Sequence, residues 1–69
     1  MKDQLESLIT QLVERGVPLP LAQSEFEKKY IRQVMTQARG NQSQAARMLG
    51  MHRNTLSRKL EEYGLESKS

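Results

Sequence analysis

No cysteine occurs in this chain of 69 residues, and small size without a covalent staple narrows what it can fold into. A domain of this length buries only roughly 60% of the surface its unfolded chain exposes. Ordering the chain costs about 1.5 kcal/mol per residue, which nearly cancels what so small a core returns. Disulfides and thiolate zinc sites, the usual reinforcements of small folds, are out of reach. What remains is a core shared with a second copy, so an oligomer is expected. Apolar residues make up 36% of the chain and charged residues 28%, a globular composition. No apolar run approaches the ~20 residues that span a bilayer, and no signal peptide opens the sequence. A cytoplasmic protein is the expectation.

The same inventory argues against an enzyme. One histidine (His52) and one aspartate (Asp3) occur, and no tryptophan. Acid-base or covalent catalysis needs a nucleophile or base oriented by a further group, and His52 sits among arginines, far along the chain from any carboxylate. One histidine cannot anchor the usual metal-ligand sets either. Gly16, Gly40, Gly50 and Gly64 are isolated and form no phosphate-cradling loop. No metal, cofactor or small-molecule substrate is expected.

The periodicity is helical throughout. Leu5, Leu8, Ile9, Leu12 and Val13 form one stripe at i, i+3, i+4, i+7 and i+8, stopped by Gly16. After a short connector with two prolines, a second helix is expected to open with Pro20 at its first position and run to about Ala38. Ala22, Phe26, Tyr30, Val34 and Ala38 recur every four residues, and Ile31 and Met35 widen the stripe. That stripe is wider than one short neighbour can cover, so two helix pairs facing each other would build a four-helix core. Leu5, Leu8, Ile9, Leu12, Phe26, Tyr30 and Val34 are the expected dimer contacts. A monomer burying the stripe on its own C-terminal half is the competing arrangement. A third helix, Gln42 to Leu49, should start at an Asn41 N-cap and pack through Ala45, Ala46, Met48 and Leu49. A fourth should run from about Arg53 to Glu62 with Leu56 and Leu60 inward, closed by Gly64 and an apolar contact from Leu65. Nothing reads as a strand. The fold class is all-α: a four-helix subunit with dimerisation helices over 1–38, a helix-turn-helix unit over 39–65 and a frayed tail at 66–69.

Charge is unevenly spread. Residues 28–60 hold Lys28, Lys29, Arg32, Arg39, Arg47, Arg53, Arg58 and Lys59 and no acid, whereas acids outnumber bases on both sides of this block. Such a block suits a polyanion, and its arginine content favours bidentate recognition of phosphate and base edges. It coincides with two short helices joined through Gly50, where Ala45 and Ala46 permit close approach and Met51 and Leu56 plug the angle between them. That is helix-turn-helix geometry, whose second helix enters the major groove of double-stranded DNA. Opposite Leu56 and Leu60 lie Asn54 and Arg58. Arg53, early in the helix, suits guanine, and Asn54 suits adenine, although asparagine in a first turn also serves local ends. Thr55, Arg58 and Lys59 read as phosphate contacts. Asn41 and Ser43 open the third helix, where N–H groups suit a phosphate. His52 is either turn filler and cap or a contact to DNA.

Tyr30-Ile31-Arg32, the run Arg39-Gly40-Asn41-Gln42-Ser43-Gln44-Ala45-Ala46-Arg47-Met48-Leu49-Gly50, Arg53-Asn54-Thr55-Leu56, and Lys59-Leu60-Glu61-Glu62-Tyr63-Gly64-Leu65 resemble the Fis-type DNA-binding family. That module occurs free-standing in nucleoid proteins and as the C-terminal output domain of bacterial enhancer-binding activators. The resemblance covers Leu19 to Leu65 in detail and Leu5 to Arg15 in pattern. It implies an intertwined homodimer whose paired recognition helices read successive major grooves of a degenerate palindrome and bend the DNA. Carried over position by position, the family's DNA contacts fall on Asn41, Ser43, His52, Arg53, Thr55, Arg58 and Lys59. Ser57, Glu61 and Glu62 stand where the family is usually basic, which implies weaker nonspecific binding. The implied setting is transcription regulation or nucleoid organisation in the bacterial cytoplasm, with RNA polymerase a further candidate partner.

Two other functions fit parts of the pattern. A helical protein-interaction module could present the basic face to an acidic partner. RNA binding is disfavoured because Phe26, Tyr30 and Tyr63 fall at core or cap positions, leaving no stacking platform for unpaired bases.

Overall fold

The computed structural model describes residues 2–65, and the tail expected to fray lies outside the described residues. Four helices follow one another: α1 (Lys2–Glu14), α2 (Leu19–Gln37), α3 (Gln42–Leu49) and α4 (Arg53–Tyr63). No strand occurs among the described residues, so the subunit is all-α with a C-terminal helix-turn-helix, as expected.

The helix ends follow local chemistry. Asn41 Oδ1 accepts the Gln44 N–H at 3.0 Å and caps α3. At the other end Gly50 adopts a left-handed backbone at φ 72°, which lets the Met51 N–H reach the Ala46 carbonyl at 3.0 Å. That six-residue closure is the Schellman turn. It recurs at the end of α4, where Leu65 donates to Leu60 at 2.8 Å, and after α1, where Val17 donates to Leu12 at 3.0 Å. The end of α2 uses the same closure, from Gly40 to Met35, but places Arg39 at φ 55° in the position that glycine fills elsewhere. A non-glycine residue there costs roughly 1–2 kcal/mol of backbone energy, which the sequence pattern did not anticipate.

Boundaries shift by a residue where the expectation rested on one signal. Leu19 opens α2, so Pro20 takes the second helical position, where a missing N–H is also harmless. Tyr63 extends α4 by one residue beyond Glu62, because the closing glycine is Gly64.

The core is small and lies between α2, α3 and α4. Ile31, Met35, Ala38, Ala45, Ala46, Leu56 and Leu60 form it, with Val34, Leu49, Met51, Tyr63 and Leu65 packed at its edge. Ala45, Leu56 and Leu60 are fully buried. Methyl-sized side chains on α3 let the two leucines of α4 approach its backbone, and this sets the helix pair at close quarters. The wide apolar stripe of α2 is therefore divided. Ile31, Met35 and Ala38 face the chain's own C-terminal half, while Phe26 and Tyr30 remain 55% and 52% exposed, their rings tilted with centroids 5.8 Å apart. Phe26 and Tyr30, expected among the dimer contacts, are open in the single chain because α1 does not close over them. Met48 departs from its expected packing role. It is 46% exposed, since α3 turns Ala45 and Ala46 inward and has one narrow buried side.

Among the described residues, eight of the nine large exposed apolar side chains lie on α1 and α2: Leu5, Leu8, Ile9, Val13, Leu19, Leu21, Phe26 and Tyr30. All of these but Val13 border an open groove of about 1420 Å³ between the two helices, which Met48 and Tyr63 also line. Scattered apolar residues on a surface are ordinary, but a contiguous set is not.

Truncating Leu60 tests where stability resides. Leu60→Ala removes a fully buried side chain and should cost about 2–5 kcal/mol. Glu61→Ala, at an exposed position away from the groove, should change stability by less than about 0.5 kcal/mol when the two are compared by urea denaturation.

Candidate nucleic-acid interface

The outward surface of α4 is set by what its inward surface does. Leu56 and Leu60 are held against α3, and one helical turn relates them. Side chains on the opposite side are thereby aimed at solvent. Arg53, Asn54 and Arg58 are all exposed, and neither arginine forms an ion pair among the described residues. The start of the helix is ordered by His52, whose Nδ1 accepts the Asn54 N–H at 3.1 Å. His52 is thus the N-cap, and its ring stays exposed with Nε2 directed away from that bond. The two roles weighed for His52 are compatible in this geometry.

Asn41 combines roles in the same way. Its Oδ1 is taken by the cap, whereas its amide NH₂ and the exposed Ser43 remain at the open start of α3. The first N–H groups of a helix lack internal partners and carry the positive end of its dipole, which suits an anionic oxygen. Thr55 is half-buried on the flank of α4.

Lys59 has a partner within the chain. Its Nζ lies 3.0 Å from Glu27 Oε1 on α2, with the lysine side chain 29% exposed. The same carboxylate oxygen accepts a short hydrogen bond from the Tyr63 hydroxyl. The bond from Tyr63, reinforced by Lys59, holds the Glu27 carboxyl below its ordinary range. The bond to Glu27, with some desolvation and the carboxylate's negative charge, pushes the Tyr63 phenol up to about 12. Sequence reasoning overlooked both Glu27 and Tyr63, because they are 36 residues apart and no local pattern links them. A second cation of the basic block, Lys29, lies 3.7 Å from Glu25 on the exposed side of α2. The block that contains no acid in sequence therefore meets acid in space at two points.

Glu61 and Glu62 are exposed on the last turns of α4, so the helix presents cations near its start and carboxylates near its end. No group of three or more metal-ligating side chains occurs among the described residues. No helix among them is long and apolar enough to cross a membrane.

The capped helix pair, the glycine turn and the exposed arginines coincide with a match to known sequences. The family model for bacterial regulatory proteins of the Fis family matches residues 22–63. The chain belongs to the Fis family. A DNA-binding protein Fis of Proteus mirabilis is 37% identical over 67 residues, covering 94% of this chain and 68% of that protein. Its counterpart in Pasteurella multocida is 39% identical over the same span. The protein of the same name in Glaesserella parasuis is 49% identical over 45 residues, 65% of this chain and 46% of that one. The chain thus spans between about half and two thirds of the length of these relatives. No solved structure matches it.

The Glu27–Tyr63 bond yields a titration test. A phenol whose pKa is raised in the fold contributes stability below its ordinary value of 10, and that contribution is lost as pH rises from 10 to about 12. The carboxylate works in the opposite sense: its contribution is present above the ordinary value of 4.5 and is lost as pH falls through the lower folded value. Ultraviolet absorbance of the phenolate should show one tyrosine ionising near 12, and Tyr63→Phe should remove that late step.

Proposed function

We propose that this protein binds double-stranded DNA as a homodimer, inserting α4 of each copy into a major groove. The observation that carries the reading is the outward face of α4, where Arg53, Asn54 and Arg58 stand exposed above a buried Leu56–Leu60 seam. Arg53 at the leading end supplies a fork that matches guanine O6 and N7, a contact worth about 1–3 kcal/mol of discrimination. Asn54 supplies an amide suited to adenine. Arg58, Thr55, His52, Asn41 and Ser43 are assigned to phosphates, which fix register without reading sequence. The relatives named DNA-binding protein Fis support the same conclusion.

The open groove of α1 and α2 supports the dimer. At about 1420 Å³ it exceeds the roughly 300–1,000 Å³ typical of small-molecule sites, and its lining is mostly apolar. A second copy would bring an identical stripe of leucines and aromatics to cover it, an isologous contact of the commonest symmetric kind. Two recognition helices related by a two-fold axis would favour a palindromic site, with part of the selectivity coming from DNA deformability between half-sites. The biological output of such a protein is transcription regulation or nucleoid organisation in bacteria.

Light scattering should give about twice the 8.0 kDa chain mass; a monomer at micromolar concentration would remove the dimer. Arg53→Ala, which removes the contact from both copies, should reduce the preference for a selected duplex over a random one by about 30-fold or more while the dimer mass stays unchanged. Equal binding of both duplexes by Arg53→Ala and the parent chain would count against base reading by α4.

A further inference from the structure

Lys59 and Tyr63 lie one turn apart on α4, and both meet a single oxygen on α2. Glu27 Oε1 accepts from Lys59 Nζ at 3.0 Å and from the Tyr63 hydroxyl. Among the described residues these are the side-chain hydrogen bonds that join one helix to another.

We infer that Glu27 is a positioning residue for DNA recognition: it pins α4 to the dimer helix and withholds Lys59 from the phosphate backbone. The inference rests on the DNA-binding reading above.

Two arguments support it. The first is placement. Glu27 follows Phe26, which borders the open groove where a second copy would seat. A tether at this point relates α4 to that surface, and hence one recognition helix to the other. The apolar cluster shared by α2 and α4 resists separation, but apolar contact is non-directional and does not fix rotation or sliding. Two hydrogen bonds to one charged oxygen are directional and do.

The second argument is charge. A phosphate approaching Lys59 would have to displace a carboxylate already in contact, and the freed carboxylate would then face the DNA. Arg53 and Arg58 meet no such competitor among the described residues. The basic block therefore offers DNA fewer cations than its composition implies, and binding shifts from nonspecific attraction toward base reading.

Binding of the full chain to a random-sequence duplex, followed across salt concentration, tests the charge argument. Each phosphate contact contributes about 0.9 to the slope of log affinity against log salt, so two lysines in a dimer are worth about 1.8. Lys59→Met should leave the slope of the parent chain unaltered. Glu27→Gln should steepen it by up to about 1.8, and the double variant should return it to the parent value. A loss of about 1.8 on Lys59→Met alone, with Glu27→Gln matching the parent chain, overturns the inference.

Positioning is read separately on a selected duplex. Glu27→Ala should lower the preference for that duplex over random DNA by about tenfold. Glu27→Gln keeps an acceptor for Tyr63 and should restore most of that preference; equal losses in both variants overturn the positioning role. If Glu27→Ala fails to fold by circular dichroism, the slope series with Glu27→Gln still decides the outcome. Absence of binding by the parent chain at low salt would remove the DNA reading itself and this inference with it. Binding by the parent chain with the wrong slope pattern removes this inference alone.

Discussion

Leu56 and Leu60 must stay sealed against Ala45 and Ala46 for anything else in this molecule to work. The two leucines are completely buried, and they can be because α3 presents side chains no larger than a methyl group at the contact. A bulkier pair on α3 would push α4 outward and rotate its exposed side. The aim of Arg53, Asn54 and Arg58 is thus set by residues that never touch a ligand. Such a contact is strong for its size because dispersion and solvent exclusion act together in a close-packed seam.

Electrostatics tells a different story in three dimensions than along the chain. A stretch of 33 residues, 28–60, has eight cations and no acid, yet the fold brings Glu27 to Lys59 and Glu25 to Lys29. The second pair is exposed and joins neighbouring turns of one helix, so it contributes little. The first links α2 to α4, is partly shielded from water and is reinforced by Tyr63. Glu61 and Glu62 add negative charge to the far end of α4. The field presented outward is accordingly concentrated near the start of the helix, where base contacts would be made, and is not spread along its length.

The uneven burial of the chain has a single cause. Among the described residues seven form its core, three of them alanine, whereas most of the larger apolar side chains of α1 and the first half of α2 stay open to solvent. A single chain leaves these large apolar side chains without a partner among the described residues. That imbalance is the physical basis of the proposed core shared between copies.

Signals that act within a few residues were legible in advance. Asn41 caps α3, Gly50 and Gly64 close α3 and α4 with left-handed turns, and these local rules place the third helix residue for residue. Leu56 and Leu60 read as inward because a helix repeats every 3.6 residues wherever it sits. The family resemblance was equally local, resting on short stretches of which the run from Arg39 to Gly50 is the longest. What depended on how separate helices meet was not legible. Periodicity described a wide stripe on α2 but not its division between Ile31 and Met35, facing inward, and Phe26 and Tyr30, left exposed. Met48 matched the apolar pattern yet lay outside the narrow contact of α3. Lys59 read as one more cation until Glu27, 32 residues away, proved to be its neighbour. Sequence determined the helices, their ends and the side chains that α4 carries, because backbone hydrogen bonding and capping are short-ranged. Tertiary structure decided which cations stand unpaired and which apolar surface lacks a partner, because charge and packing depend on distance in space, to which distance along the chain is a poor guide.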